Sequence, residues 1–233
     1  MWFVQLLQYN QHLYSMNKFF LSTVIAGVSL LNACSGIVGN GKAVEETRTV
    51  SPLFRGIVVE KAIRVIISDE VADIHVRADE LFMPYLKTYV NEDNMLVITY
   101  SKGMIGYSSV ATEVTVPYHN QLVDFNASGA SRIDSDCEVV LNQATFEASG
   151  ASHLKFFGSV INCKVKLSGA SRFEGFDFTA ITLDCELSGA SHMEITCDGA
   201  LKVKASGASR LLYKGNCVIT SIETSGASEV TKK

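Results

Sequence analysis

Six serines in an identical setting are the first residues of this chain that could do chemistry. Each closes a Ser-Gly-Ala-Ser tetrapeptide, at Ser131, Ser152, Ser171, Ser191, Ser209 and Ser228. A serine attacks a substrate only when an adjacent base takes its proton and a third group orients that base. No unique Ser, His and acid set stands out, and six equal copies point instead to a ladder whose hydroxyls bond one another or the backbone between coils. The residue after each tetrapeptide forms a second series: Arg132, His153, Arg172, His192, Arg210 and Glu229. Its first five members are a candidate binding stripe that would hold an acidic glycan or envelope polymer by repeated charge-assisted contacts. Asp134, Glu174 and Glu194 follow two positions on, and Glu147, Glu186 and Glu223 lie on the other side, so a neutralised, solvated face is the favoured expectation. The five histidines are scattered and the glycine-and-aspartate calcium nonapeptides of some β-rolls are absent, so neither a metal nor a cofactor is expected.

These residues must be positioned by a repeat. The tetrapeptides begin at Ser128, Ser149, Ser168, Ser188, Ser206 and Ser225, a spacing of about 18–21 residues that signals the stacked coils of a solenoid. Side chains alternate between the two faces of a strand, so inward positions share a parity. Val165, Leu167, Gly169, Ser171 and Phe173 are apolar or small, whereas Lys166, Ser168, Ala170, Arg172 and Glu174 are mostly polar. The same register holds in every copy. It predicts an extended segment that runs through the tetrapeptide, or bends there without losing register, with glycine facing inward and alanine outward. Two residues before each tetrapeptide stand Asn126, Glu147, Lys166, Glu186, Lys204 and Glu223. Stacked parallel coils place equivalent residues about 4.8 Å apart, where like charges repel, so this alternation specifies register.

The chain has 233 residues, 47% hydrophobic and 19% charged, enough for a sizeable core. Met16-Asn17-Lys18 precedes an apolar run from Phe19 to Leu31, a secretory signal too short to span a membrane. The run ends in Leu31-Asn32-Ala33-Cys34, which resembles a bacterial lipobox with Cys34 as the lipidated first residue of the mature chain; the alternative is an ordinary small residue near a plain cleavage point. Residues 1–33 therefore read as leader, with the true start at Met16, and 34–46 as a flexible glycine-containing tether. Residues 47–120 read as irregular β coils and 121–233 as the regular repeat. The net charge is −4, and loss of Lys18 with the leader makes the mature chain more acidic, which disfavours a nucleic-acid partner. No acidic run follows Cys34, so an outer-membrane lipoprotein facing either the periplasm or the cell surface is expected.

In the first half, Ile57 and Val59, then Ile63, Val65 and Ile67, then Ile74 and Val76 alternate with polar residues as half-buried strands do. Residues 80–90, with Pro84 inside, read as a loop or a single helical turn. Cys137, Cys163, Cys185, Cys197 and Cys217 are odd in number, and Cys185 occupies the inward position held by Phe125, Phe146, Val165, Val203 and Ile222 in other copies. It reads as a small core hydrophobe, and the disulfide pattern stays open.

The lipobox cysteine, Gly39-Asn40-Gly41, Arg48-Thr49-Val50 leading to Phe54-Arg55-Gly56-Ile57, and the tetrapeptide array together resemble the auto-transporter adhesin family with a head GIN domain. The resemblance spans residues 36–230. It implies a secreted, all-β, right-handed parallel β-helix on the bacterial envelope, with no catalytic residues to carry over. Two function classes follow. The leading one is a non-catalytic, lipid-anchored envelope protein that contacts a glycan, a host-surface ligand or another envelope protein. The other is a carbohydrate-active enzyme working along a β-helix face, which would need a clustered carboxylate pair or a unique basic residue in a groove.

Overall fold

The computed structural model describes residues 36–49 and 54–233. Cys34 and the leader lie outside the described residues. Among the described residues the chain is all-β, with the 3₁₀ turn Met83–Tyr85 as its one helical element. It divides into two units. In the smaller, the Ile37 N–H donates to Ile105 O at 2.8 Å. The larger, residues 38–104 with 108–233, is a β-solenoid.

The tetrapeptide is a corner of each coil. The strand Asp124–Ala127 ends before it and Arg132–Ser135 begins after it. Gly129 has φ +77° and the later tetrapeptide glycines have φ between +70° and +73°, left-handed values that a side chain disfavours. Glycine and alanine of the corner are both exposed, whereas the flanking Ala127 and Ser131 are buried. The predicted parity therefore holds on both sides of the corner, but the inward placement of the glycine does not: a turn of two exposed residues brings the next residue back to the same face. The interstrand ladder crosses the corner unbroken. Ser149 N donates to Ala127 O at 3.0 Å, Ala151 N to Gly129 O at 2.7 Å and His153 N to Ser131 O at 2.9 Å, and each later coil repeats the set.

Before the corner, parallel strands stack with Phe125 opposite Phe146, Phe146 opposite Val165, Val165 opposite Cys185, Cys185 opposite Val203 and Val203 opposite Ile222. This is the inward column read from the sequence; Cys185 is fully buried in it, whereas Ile222, on the terminal coil with no coil beyond it, is 41% exposed. A third face is built from pairs such as Leu141 with Val160 and Val160 with Ala180. Phenylalanines fill the middle of the core. Phe146 has Phe125 stacked on it at 4.9 Å, and Phe156, Phe173 and Phe178 edge-on at 4.8, 5.1 and 5.7 Å.

The register runs further towards the N-terminus than the tetrapeptides do. Gly56–Val59 pairs in parallel with Asp124–Ala127, and Arg64–Ser68 with Arg132–Ser135. Residues 60–63 thus occupy the corner, with Lys61 at φ +64° in the place of glycine and Ile63 buried in the place of serine. On its other side this coil pairs with Met95–Tyr100 and Glu113–Pro117. Chain order and stacking order therefore differ: residues 56–68 are sandwiched between the strands Met95–Tyr100 and Glu113–Pro117 on one side and residues 124–135 on the other. Beyond 95–117 the pairing turns antiparallel. Leu86–Val90, within the stretch read as a loop or turn, is a strand on Met95–Tyr100, and Ile74–Asp79 lies between Glu113–Pro117 and Ala43–Arg48. These strands close that end of the stack, as solenoids require.

Part of the stretch read as a tether belongs to this closure. Ala43–Arg48 is a strand, and the buried Asp79 carboxylate accepts from Gly41 N at 2.9 Å, Asn40 N at 3.3 Å, Leu81 N at 3.0 Å and Ser108 Oγ at 2.7 Å. Burial acts to raise the Asp79 pKa, but the hydrogen bonds prevail and hold it below the ordinary range.

Candidate functional site

The residues after the corner form one column along the stack. Arg132 lies opposite His153, His153 opposite Arg172, Arg172 opposite His192, His192 opposite Arg210 and Arg210 opposite Glu229. Arg64 extends the column at the other end, opposite Arg132, a member hidden in the sequence because its coil lacks the tetrapeptide. The cations are occupied. Asp134 lies between Arg64 Nε at 2.9 Å and Arg132 Nε at 2.7 Å, and Arg64 also reaches Glu113 at 3.0 Å. Glu174 receives His153 at 3.3 Å and Arg172 at 3.7 Å, Glu194 receives His192 at 3.1 Å, and Arg210 meets Glu229 at 3.0 Å. Burial, then the Arg132 charge, lowers the His153 pKa, so this ring adds little positive charge at neutral pH.

A guanidinium already paired with a carboxylate has less to offer a polyanion. We expect the triple substitution of Arg132, Arg172 and Arg210 by Ser to leave retention on an acidic polysaccharide column unchanged at moderate salt, while the exposed pairs lost at Arg172 and Arg210 cost about 0–1 kcal/mol each. Loss of a salt-sensitive retention in the triple variant would make the stripe a binding surface.

The other outward column has a different setting. Asn126, Glu147, Lys166, Glu186, Lys204 and Glu223 lie opposite one another in that order. Among the described residues the only ion pair within this column is Lys204 with Glu223, at 3.9 Å. Where each strand meets its corner, the column and the first serine of the tetrapeptide line a groove. One stretch runs from Val58 past Asn126 and Ser149 to Lys166; the next, of about 430 Å³, runs from Lys166 past Ser188 and Lys204 to Ser225. The two meet at Lys166, and neither lining contains an aromatic ring. The sequence showed this column as a register device only; concavity is a property of the bend, which parity does not reveal.

The serines after the glycine-alanine turn do not form the expected ladder between coils: the Ser131 and Ser191 hydroxyls have no partner among the described residues, and only Ser209 and Ser228 reach a carbonyl of another coil. Ser152 and Ser171 are 1% exposed, and their hydroxyls donate to Ser149 O at 2.7 Å and Ser168 O at 2.6 Å, three residues back within the same corner. Cys137, Cys163, Cys185, Cys197 and Cys217 carry free thiols. Burial pushes Cys137 and Cys197 up to about 11 and raises Cys163 and Cys185 as well, which suppresses thiolate chemistry.

Residues 53–217 match the family model described as "Putative auto-transporter adhesin, head GIN domain". A crystal structure of a putative adhesin from Bacteroides fragilis superposes with a TM-score of 0.66 at 13% identity, covering 85% of this chain and 100% of that one. A putative adhesin from Parabacteroides merdae gives 0.54 at 14% identity, covering 86% and 100%. A protein from Parabacteroides distasonis described as a putative lipid binding protein gives 0.53 at 16%, covering 85% and 100%. At these identities the likeness is one of fold. No curated protein matches the sequence.

Proposed function

Because the chain belongs to the auto-transporter adhesin family with a head GIN domain, we propose that it is a non-catalytic interaction module of the bacterial envelope, held to the outer membrane by a lipid on Cys34. The observation that carries this reading is the unbroken register of the outward columns. Like side chains recur at every second coil, so a repeating partner meets the same chemistry several times, and weak contacts sum to useful avidity. A glycan offers such repetition by its chemistry; a host-surface ligand or another envelope protein does so only where it is itself built of repeats. The test is a comparison of cells with and without the gene for attachment to glycan-coated and protein-coated surfaces. Equal attachment on every surface would sink the reading.

The anchor has its own test. Cys34→Ala is expected to move the protein out of the membrane fraction, or to leave it unprocessed, and to abolish incorporation of a palmitate analogue. Label that persists in the variant would show that Cys34 is not the lipidated residue.

A further inference from the structure

The groove before the corner presents acceptors and donors in alternation, with carboxylates at Glu147 and Glu186 and ammonium groups at Lys166 and Lys204. Its other edge adds serines, among them Ser149, Ser168 and Ser188. Lys166, Glu147 and Glu186 form no ion pair among the described residues, whereas Arg132, Arg172 and Arg210 across the corner all do. The groups free to take a ligand are thus in the groove.

Their spacing selects the ligand. The column alternates in sign, three carboxylates to two ammonium groups, so it offers a polyanion laid along the stack no net attraction. An extended polypeptide repeats its same-side groups about every 6.8 Å, out of step with coils about 4.8 Å apart. A chain of equatorially linked sugar rings turns over from ring to ring, so its like faces recur every second ring, as the groove's charges recur every second coil. Its hydroxyls both donate and accept, which matches a wall of alternating ammonium and carboxylate groups. We propose that the groove binds an extended glycan of no net charge, laid along the stack at about one ring per coil. From the coil of Val58 to that of Ser225 it offers roughly 30 Å.

This assignment rests on the reading of the chain as an interaction module. The exported chain, extracted in detergent, is titrated with neutral cello-, chito- and xylo-oligosaccharides of two to six rings, and with hyaluronan fragments as the acidic probe. Binding is expected to the neutral hexamers and to tighten with each added ring. Lys166→Gln, which removes the charge and keeps a polar side chain, is expected to weaken it about tenfold, as for loss of a charged hydrogen bond, and Ser168→Trp to weaken it at least as much by filling the groove where its two stretches meet. Arg172→Ser, across the corner, is expected to leave it unchanged. Urea midpoints confirm that each variant is folded, and Lys166→Gln decides if Ser168→Trp is not. The assignment is overturned if no neutral hexamer binds or if neither groove variant weakens binding. Hyaluronan bound and then lost in Arg172→Ser would also overturn it, while leaving the interaction module standing with its site on the stripe. Failure on every probe together with unaltered cell attachment overturns both.

Discussion

Gly189→Val is expected to destabilise the protein by about 3–5 kcal/mol in urea unfolding. Two effects combine. Gly189 has φ +71°, where a β-branched residue is strained, and a Cβ there would lie 2.5 Å from Gly169 O, the acceptor of the Ala190 N–H at 2.7 Å. The new side chain therefore attacks the inter-coil ladder at the corner; the core is untouched. The contact is directional, since at each repeat the added atom leans on the preceding coil. Gly129 is the informative control: its φ is +77°, but the nearest atom to a Cβ is Lys61 N at 3.4 Å. Gly129→Val is expected to cost the backbone strain alone, about 1–3 kcal/mol. Gly226→Val meets Gly207 O at 2.7 Å, yet the terminal coil can come away by itself, so its effect on global unfolding falls below that of Gly189→Val. Ala190, exposed beside the glycine, should accept Thr within roughly 0.5 kcal/mol. Equal damage from Gly129→Val and Gly189→Val would show that the inter-coil contact does not matter.

Phe146→Ala is expected to cost about 3–5 kcal/mol. The ring is fully buried and touches four other phenylalanines from its own and neighbouring coils, so its removal leaves a cavity that rigid strands on either side cannot collapse. Phe157, 37% exposed and of outward parity beside the buried Phe156, provides the contrast: Phe157→Ala is expected to cost only about 1–2 kcal/mol, since it leaves no closed cavity. Thermal unfolding of the two variants separates the cases, and comparable losses would mean that the aromatic cluster is not the centre of the core.

The inward and outward sets of the repeat half were legible because alternation is a property of the strand itself. Phe125, Phe146 and Val165 could be aligned without knowing the path of the chain. The corner was not legible in the same way. Ser-Gly-Ala-Ser keeps parity whether it runs straight or turns, so Gly129 was expected inside and sits outside. The coil of residues 56–68 carries no tetrapeptide signal, because Lys61 adopts the left-handed conformation that glycine adopts elsewhere and Ile63 fills with a hydrocarbon the place of a hydroxyl. Of the candidate site, the stripe could be named residue by residue, and so could the carboxylates Asp134, Glu174 and Glu194 that occupy it. The groove depends on the bend at the corner, which strand alternation does not encode.

The two outward columns share a phase, and this bears on how such a chain grows. Coils carrying Glu147 and His153, or Glu186 and His192, alternate with coils carrying Lys166 and Arg172, or Lys204 and Arg210. Copying a single coil in the gene would set Glu on Glu or Lys on Lys across neighbouring strands of the column before the corner. Copying two at once preserves every pairing. The unit of duplication that the surface tolerates is therefore the pair, and lineages that lengthen or shorten this stack are expected to do so by even numbers of coils.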